Sequence, residues 1–595
     1  MKNKSISKAL KITGIVIGVL LLILAGVVIY LDMNAEKIAE DLLEKEYQDT
    51  EISRVYEIGY GNIRLSLFTG DLVIKDLEIK PRASFYEAGD SLRLAFPLVF
   101  SVRVPRLSIS GINENLSLQL EKVELEKISF SRPDITMIDH LTKSEKNRAK
   151  QMAKKATADT SAKTQLKKIM LDHFILSKGK FTFVNRLKNR EVFTAGQIDV
   201  DINGIELEPG HIVRALVTRT FQNAEIRVAD IEYPVPNGFY EIRLGEVVNN
   251  SGERSIEIHD FELIPKYDKF DFGKEWGKQT DRMEVKLPLL RVEGLDTEKL
   301  AFDNAVIIDR ILIEELYLNA FRNKNIPFDY SRYPDYPQQA LAKLDMDLNV
   351  KKLEIKKSKV LYEEVQEGGH TPGQVPISDI YGTITNISNM PQVIRKSGPM
   401  RWDLQGKFFD AGLLKLNVNF TSDINAPDFT FNGTMSDMDM AAFNSMTEPA
   451  AHIRITEGEI DSLTFQADAG PDFSEGIILM KYQQLEIKPL GKNASDESNE
   501  KSFLGAIANM VIHKNNPPSG GNKDAKHADI FFKRDVHKSI FNYLAKSLIS
   551  GIKHTILPNL SSPKKQYERE QRREERREER EGNREERRKE KRERK

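Results

Sequence analysis

Apolar and polar residues follow three different rhythms along this chain. Ile12 to Leu31 is unbroken: ITGIVIGVLLLILAGVVIYL holds no charge and no proline. A hydrocarbon core about 30 Å thick is crossed by about twenty helical residues. The stretch therefore predicts a transmembrane helix, with Ile12, Ile15, Val19, Leu22, Leu24, Val27 and Leu31 among its anchoring residues. Ala35 to Glu46 changes to a helical period, with Ile38, Leu42 and Leu43 forming a narrow stripe among acids and lysines. From Ile63 the period becomes two. Ile63, Leu65 and Leu67 alternate with Arg64 and Ser66, and Thr69-Gly70-Asp71 marks a turn. Leu116, Leu118 and Leu120, then Val123 and Leu125, then Ile128 and Phe130, continue the alternation. Such runs predict antiparallel strands with one apolar and one polar face.

The strand pattern is interrupted once and then dominates to about residue 490. From Leu141 to Lys168 there are nine Lys or Arg against two Asp or Glu. That segment reads as a helical or disordered insert, either a solvated surface or a basic patch for anionic headgroups. Beyond it, Ile198, Val200 and Ile202 alternate, as do Leu344, Met346, Leu348 and Val350, and Leu414, Leu416, Val418 and Phe420. A loose repeat links Leu171–Phe181 with Val350–Val360, and Ile311–Phe321 runs similarly: strand, small residue, strand. Lys492 to Asp529 is polar. His537 to Leu557 returns to the helical period, with Ile540, Leu544, Leu548, Ile552 and Ile556 four residues apart and Phe541 and Ile549 beside them. Lys564 to Lys595 carries 16 Lys or Arg and 11 Glu, a charged tail that predicts a fraying helix or disorder.

These rhythms divide the chain into a tail (1–11), an anchor (12–31), a juxtamembrane helix and link (32–60) and an N-terminal β segment (61–138). A basic insert (139–168), a long β region (169–490), a polar linker (491–530), an amphipathic helix (531–562) and an Arg/Glu-rich tail (563–595) follow. Lys2, Lys4, Lys8 and Lys11 precede the anchor and Asp32 and Glu36 follow it. This charge order keeps the N-terminus cytoplasmic and sends the bulk across. The alternative, a cleaved signal peptide, has a shorter apolar region and a small-residue cleavage site, which is not found after Leu31.

Composition removes several kinds of chemistry. The 595 residues contain no cysteine, which excludes disulfides, thiol nucleophiles and zinc–thiolate sites. A formal charge of -1 gives no global field for nucleic acid. The ten histidines form no H-x-x-x-H pair, and no Gly-x-Ser-x-Gly elbow, Walker loop or dinucleotide fingerprint occurs. Asp199-x-Asp201, Asp345-x-Asp347 and Asp437-x-Asp439 invite a metal reading, but the first two lie on alternating runs and read as a polar strand face. No enzyme activity and no cofactor are expected. What remains is many amphipathic strands with few helices to cover them. Apolar surface in water costs about 25 cal/mol per Å², so such a sheet closes on itself, pairs with another, or holds something apolar. An open groove for lipid and a series of packed β-sandwiches both satisfy that demand.

Toward the C-terminus the residues resemble a known family. Gly433-Thr-Met435, Met438-Asp-Met440 and Phe443-Asn444 are followed by Ile455 to Phe465 and by Gly476 to Ile487 with Tyr482 and Leu485. Phe503-Leu504, Ala508-Asn509, Asn516-Pro517, Arg534-Asp535, Phe541-Asn542-Tyr543 and Gly551-Ile552 come in the same order as in AsmA-like proteins. The anchor, its helix and the Leu65-x-Leu67-Phe68-x-Gly70-x-Leu72 turn resemble that family's start. The AsmA-like family belongs with TamB and with the chorein-type bridge-like lipid-transfer proteins. The resemblance implies a mainly β chain folded as an elongated, taco-like antiparallel groove behind a transmembrane helix. It implies an inner-membrane, periplasmic protein that carries phospholipid acyl chains toward the outer membrane and maintains the envelope, with a further envelope protein at the far end. On this reading Leu65, Leu67, Leu348, Val350, Leu416 and Val418 are candidate groove-lining residues. At about 4.8 Å per strand, roughly two dozen strands extend on the order of 100 Å. The alternative is a non-enzymatic assembly or scaffold factor that binds outer-membrane proteins or another envelope partner. The basic insert and the Arg/Glu tail depart from the family pattern.

Overall fold

A computed structural model describes residues 51–66, 69–111, 122–142, 144–149, 168–188, 190–207, 223–490, 512–518 and 524–557, with 564, 567–569, 571–573 and 576–577. These residues form a mainly β protein with 23 strands, mostly antiparallel. They fall into two compact units, one reaching to Tyr267 and including Glu284–Glu314, the other comprising Asp268–Met283 and the residues from Glu315 onward. Among the described residues no helix is long and apolar enough to cross a membrane. Ile12–Leu31, the anchor read from the sequence, lies outside them.

The first unit contains β1 (Tyr56–Gly59), β2 (Asn62–Ser66), β3 (Asp71–Pro81), β4 (Leu98–Ser110), β5 (Lys122–Ser131), β6 (Asp134–Asp139), β7 (Lys168–Asn185) and β8 (Arg190–Leu207). It continues through β9 (Asn223–Pro234), β10 (Tyr240–Asn250), β11 (Ser255–Pro265), most of β12 (Asp281–Glu293) and β13 (Ala305–Glu314). The second holds β14 (Tyr317–Asn323), β15 (Asp347–Val365), β16 (Gly373–Ser388), β17 (Arg401–Phe408), β18 (Gly412–Phe420), β19 (Phe429–Met435), β20 (Met438–Asp439), β21 (Ile453–Ala469), β22 (Phe473–Pro489) and β23 (Ala528–Lys533). β23 straddles the boundary between the segment read as a polar linker (491–530) and that read as an amphipathic helix (531–562), and the helix itself spans Ile540–Ile556.

Not every ladder is antiparallel. β5 and β6 both pair in parallel with β7, and β14 pairs in parallel with β15. Parallel neighbours need a long crossover. The basic insert supplies it between β6 and β7, and residues 324–346, with a helix at Pro337–Ala342, supply it between β14 and β15. The internal repeat coincides with this arrangement. Lys178 on β7 and Lys357 on β15 both have positive φ, 52° and 47°, as do Arg132 and Glu315 beside them. The backbone bonds match as well: Arg132 N–H to Ser177 O (2.8 Å) and Lys180 N–H to Pro133 O (2.7 Å), against Glu315 N–H to Lys356 O (2.9 Å) and Lys359 N–H to Leu316 O (2.7 Å). The small residue of the repeat, Gly179 or Ser358, is buried just after this bulge.

Positive-φ residues like these form a row across the first unit. Gly61 lies against Asp76 (φ 52°), Gly196 against Asp230 (φ 54°) and Gly245 against Asp260 (φ 51°). Pro105 interrupts β4 opposite Asp76, and Pro288 interrupts β12 opposite Asp260. Proline fits where no ladder N–H is needed. Side-chain parity shifts along this line: the inward set changes from Leu72 and Ile74 to Leu77 and Ile79 on β3, and from Val102 and Val104 to Leu107 and Ile109 on β4.

Candidate functional site

The apolar face of the first unit changes character along the sheet. From β4 to β8 its middle is sealed, while Ile74 and Ile79 on β3, Phe100 on β4, Phe183 on β7 and Phe193 on β8 are partly buried. Val102, Val104, Leu107 and Ile109 on β4 and Leu171, Phe174, Leu176 and Phe181 on β7 are no more than 2 % exposed. The ladder register carries this face onward to Ile242, Leu244 and Val247 on β10, to Ile256, Ile258, Phe261 and Leu263 on β11, and to Val285, Leu287, Leu290 and Val292 on β12. Cross-strand pairs Val247–Ile258–Leu290 and Ile242–Leu263–Val285 make it continuous. All of these except Leu287 are only half-buried. A row of β-branched and large aliphatic residues is the composition a packed sheet face wants, yet here it stays partly in water.

The second unit closes its apolar face with a helix. Trp402, Val418, Phe431 and Ala467 follow one another in register across β17, β18, β19 and β21 and are buried. The helix Ile540–Ile556 packs on β22 and β23. Ser547 Oγ lies 2.6 Å from Ser474 Oγ, and Tyr543 meets Phe429 edge-on at 6.0 Å. Its stripe of Ile540, Leu544, Leu548, Ile552 and Ile556 joins that core, while Phe541 and Ile549 stay exposed.

A charged group interrupts the second unit at β14–β15. Arg322 clasps Asp281 with two bonds of 2.7 and 2.6 Å. Glu364 accepts from Tyr362 Oη (2.6 Å) and Gln366 (2.8 Å) and pairs with Lys324 at 2.7 Å. Burial pushes the Glu364 carboxyl up, but Lys324, Tyr362 and Arg322 together hold it below its ordinary value. Burial and the neighbouring Glu364 raise the Tyr362 hydroxyl, which stays protonated as the donor. This is a satisfied structural network rather than a proton-transfer site.

The candidate groove residues divide among these environments. Leu65 pairs with Leu72 at the β2–β3 hairpin. Leu67 lies outside the described residues. Leu348 is half-buried and its N–H donates to Asn389 Oδ1, whereas Val350 is buried opposite Ile387. Leu416 and Val418 point to the same apolar face, Leu416 half-buried and Val418 sealed at 0 % exposure. The half-buried stripe on β10–β12 was missed, although Ile242-x-Leu244 and Ile256-x-Ile258 carry the same alternation.

The residues behind the family resemblance have structural work. Asn444 brackets Ile455 through both its N–H and its C=O at 2.8 Å. Asn516 bonds Met480 O and both backbone groups of Lys526. Arg534 stacks 4.3 Å over Tyr336, whose hydroxyl is pushed up to about 12 by burial. Asp199 and Asp201 serve the strand face: Asp199 accepts from Lys178 N–H and Gln197, and Asp201 from His173 and Asn203. A cavity of about 260 Å³ has His513, His527, His554 and Asp529 in its lining. Among the described residues no three such groups are placed to hold a metal ion. No protein-family model and no curated protein matches the sequence.

Proposed function

We propose that the chain is a membrane-anchored, AsmA-like envelope protein that carries phospholipid by its acyl chains along the apolar face of its sheet. The observation that supports this reading is the half-buried aliphatic stripe on β10–β12, continuous in register with a sealed core. Apolar area left in water costs about 25 cal/mol per Å², and acyl chains laid on the stripe would recover that cost. Ile12–Leu31 would hold the chain at the inner membrane with its bulk in the periplasm, and transport would run toward the outer membrane. Movement along a continuous apolar surface needs no catalytic residue and no cofactor.

The test is phospholipid carried through purification. The full chain, extracted in mild detergent, is analysed by native mass spectrometry and lipid extraction. Wild type is expected to retain phospholipid, and Ile258→Glu to lose it with an unchanged circular-dichroism spectrum. A wild-type chain without bound phospholipid overturns the reading. The sealed cores between β4 and β8 and between β17 and β22 favour a second one, a non-enzymatic assembly factor. That reading expects no lipid and a stable envelope-protein partner in the same purification.

A further inference from the structure

On the opposite, polar face of the first unit, four cations surround one cavity. Val102 and Val104 are in the core, so Arg103 between them faces the other way; the same parity turns out Asp134 beside Ile135, Lys180 beside Phe181 and Gln197 beside Ile198. With Arg132 and Lys178, these residues line a space of about 390 Å³. The positive-φ row creates it. Arg132 and Lys178 sit side by side in the left-handed region, at φ 50° and 52°. The bonds from Arg132 N–H to Ser177 O and from Lys180 N–H to Pro133 O fix them there.

The lining charges are not balanced among the described residues. Among the described residues, the Arg132, Lys178 and Lys180 side chains have no ion-pair partner. Arg103 approaches Glu78 only at 3.8 Å, and Glu78 also faces Lys80 at 3.9 Å. Asp199 at the margin is engaged by the Lys178 N–H (2.8 Å) and by Gln197 (2.6 Å). Four cations and one lining carboxylate, Asp134, leave an excess of three positive charges. Like charges gathered in one concavity repel, and an oxyanion converts that repulsion into charge-assisted hydrogen bonds. Two guanidinium forks and two ammonium groups suit the several oxygens of a phosphate better than the two of a carboxylate.

We propose that this cavity binds a phosphate-bearing anion. The site lies on the face away from the apolar stripe, so it stands apart from the lipid-carrying surface. Its ligand is either a soluble phosphate or the headgroup of an anionic lipid. The test titrates the full chain in detergent by calorimetry with inorganic pyrophosphate and, separately, with dihexanoyl phosphatidylglycerol, using dihexanoyl phosphatidylcholine as control. Saturable binding of pyrophosphate supports a soluble phosphate; binding of the phosphatidylglycerol alone supports a headgroup. In either case the triple variant Arg132→Gln, Lys178→Gln, Lys180→Gln is expected to bind at least about a hundredfold more weakly. Asp134→Asn is expected to bind more tightly, a gain that damage to the fold would not produce. Absence of binding by wild type, or equal binding by wild type and the triple variant, overturns the proposal.

Discussion

Glu364 is 8 % exposed and takes hydrogen bonds from Tyr362 and Gln366 while pairing with Lys324. Its lowered folded-state pKa fixes the sign of its pH dependence. A depressed carboxylate adds stability above its unfolded value of about 4.3 and loses it as pH falls through the folded value. Glu364→Gln is expected to cost about 2 kcal/mol near neutral pH, because Lys324 loses its charged partner in a half-buried setting. In urea titrations the difference from wild type should shrink below about pH 4; a difference constant with pH contradicts the assignment. Gly433 makes a different point. A methyl there would stand 2.2 Å from Lys415 O and 2.5 Å from Phe465 Cζ. One contact is backbone and the other a buried ring, so neither retreats. Gly433→Ala is expected to cost about 3 kcal/mol, read as a lower urea midpoint. The sequence resemblance picked out Gly433, but not that it is needed because a neighbouring phenylalanine lies across it.

At the scale of elements, the helix Ile540–Ile556 was legible because its stripe repeats every four residues and faces one core. Gly551 lies within that stripe. A Cβ there would meet Ile478 Cγ2 at 2.5 Å and Ile530 Cγ1 at 3.0 Å. Replacing glycine by alanine gains about 1 kcal/mol of helix propensity, while overpacking a fixed core costs about 1–3 kcal/mol. Ile478 and Ile530 are both 0 % exposed, so the clash wins. Gly551→Ala should lower stability by about 1 kcal/mol and increase binding of an apolar dye; greater stability would show that the helix docks loosely. The strands were less legible, for a physical reason. Alternation survives only between the positive-φ residues. At Lys178 the inward set changes from Phe174 and Leu176 to Phe181, and at Asp260 from Ile256 and Ile258 to Phe261 and Leu263. A period-two search breaks at each such point and so passes over β9–β12. β23 was missed because it is only six residues long, Ala528–Lys533, and lies between a polar segment and the helix. Parallel pairing was invisible too, since it rests on crossovers rather than on any pattern within a strand.

Across the whole molecule, the degree of burial along the apolar face separates positions that hold the fold from positions available to a cargo, and two substitutions of the same kind should separate them experimentally. Val418 lies between Trp402 and Phe431 and is 0 % exposed. A carboxylate placed there has no partner and must be desolvated or expel its neighbours, at a cost of several kcal/mol, about the size of a domain's whole stability margin. Val418→Glu is therefore expected to abolish cooperative unfolding. Ile258 occupies the same kind of face on β11 but is half-buried, between Val247 and Leu290. A glutamate there can turn its carboxylate to water, and its cost should stay near 1 kcal/mol. If the stripe carries lipid, Ile258→Glu keeps a near-wild-type urea midpoint while losing bound phospholipid and failing to restore detergent resistance in a strain lacking the protein. If the stripe is only an imperfectly packed core, the same variant shifts the midpoint markedly or leaves both lipid content and envelope resistance unchanged. The residues that seal Val418 are thus poor probes of function, and the half-buried aliphatics of β10–β12 are where a functional test belongs.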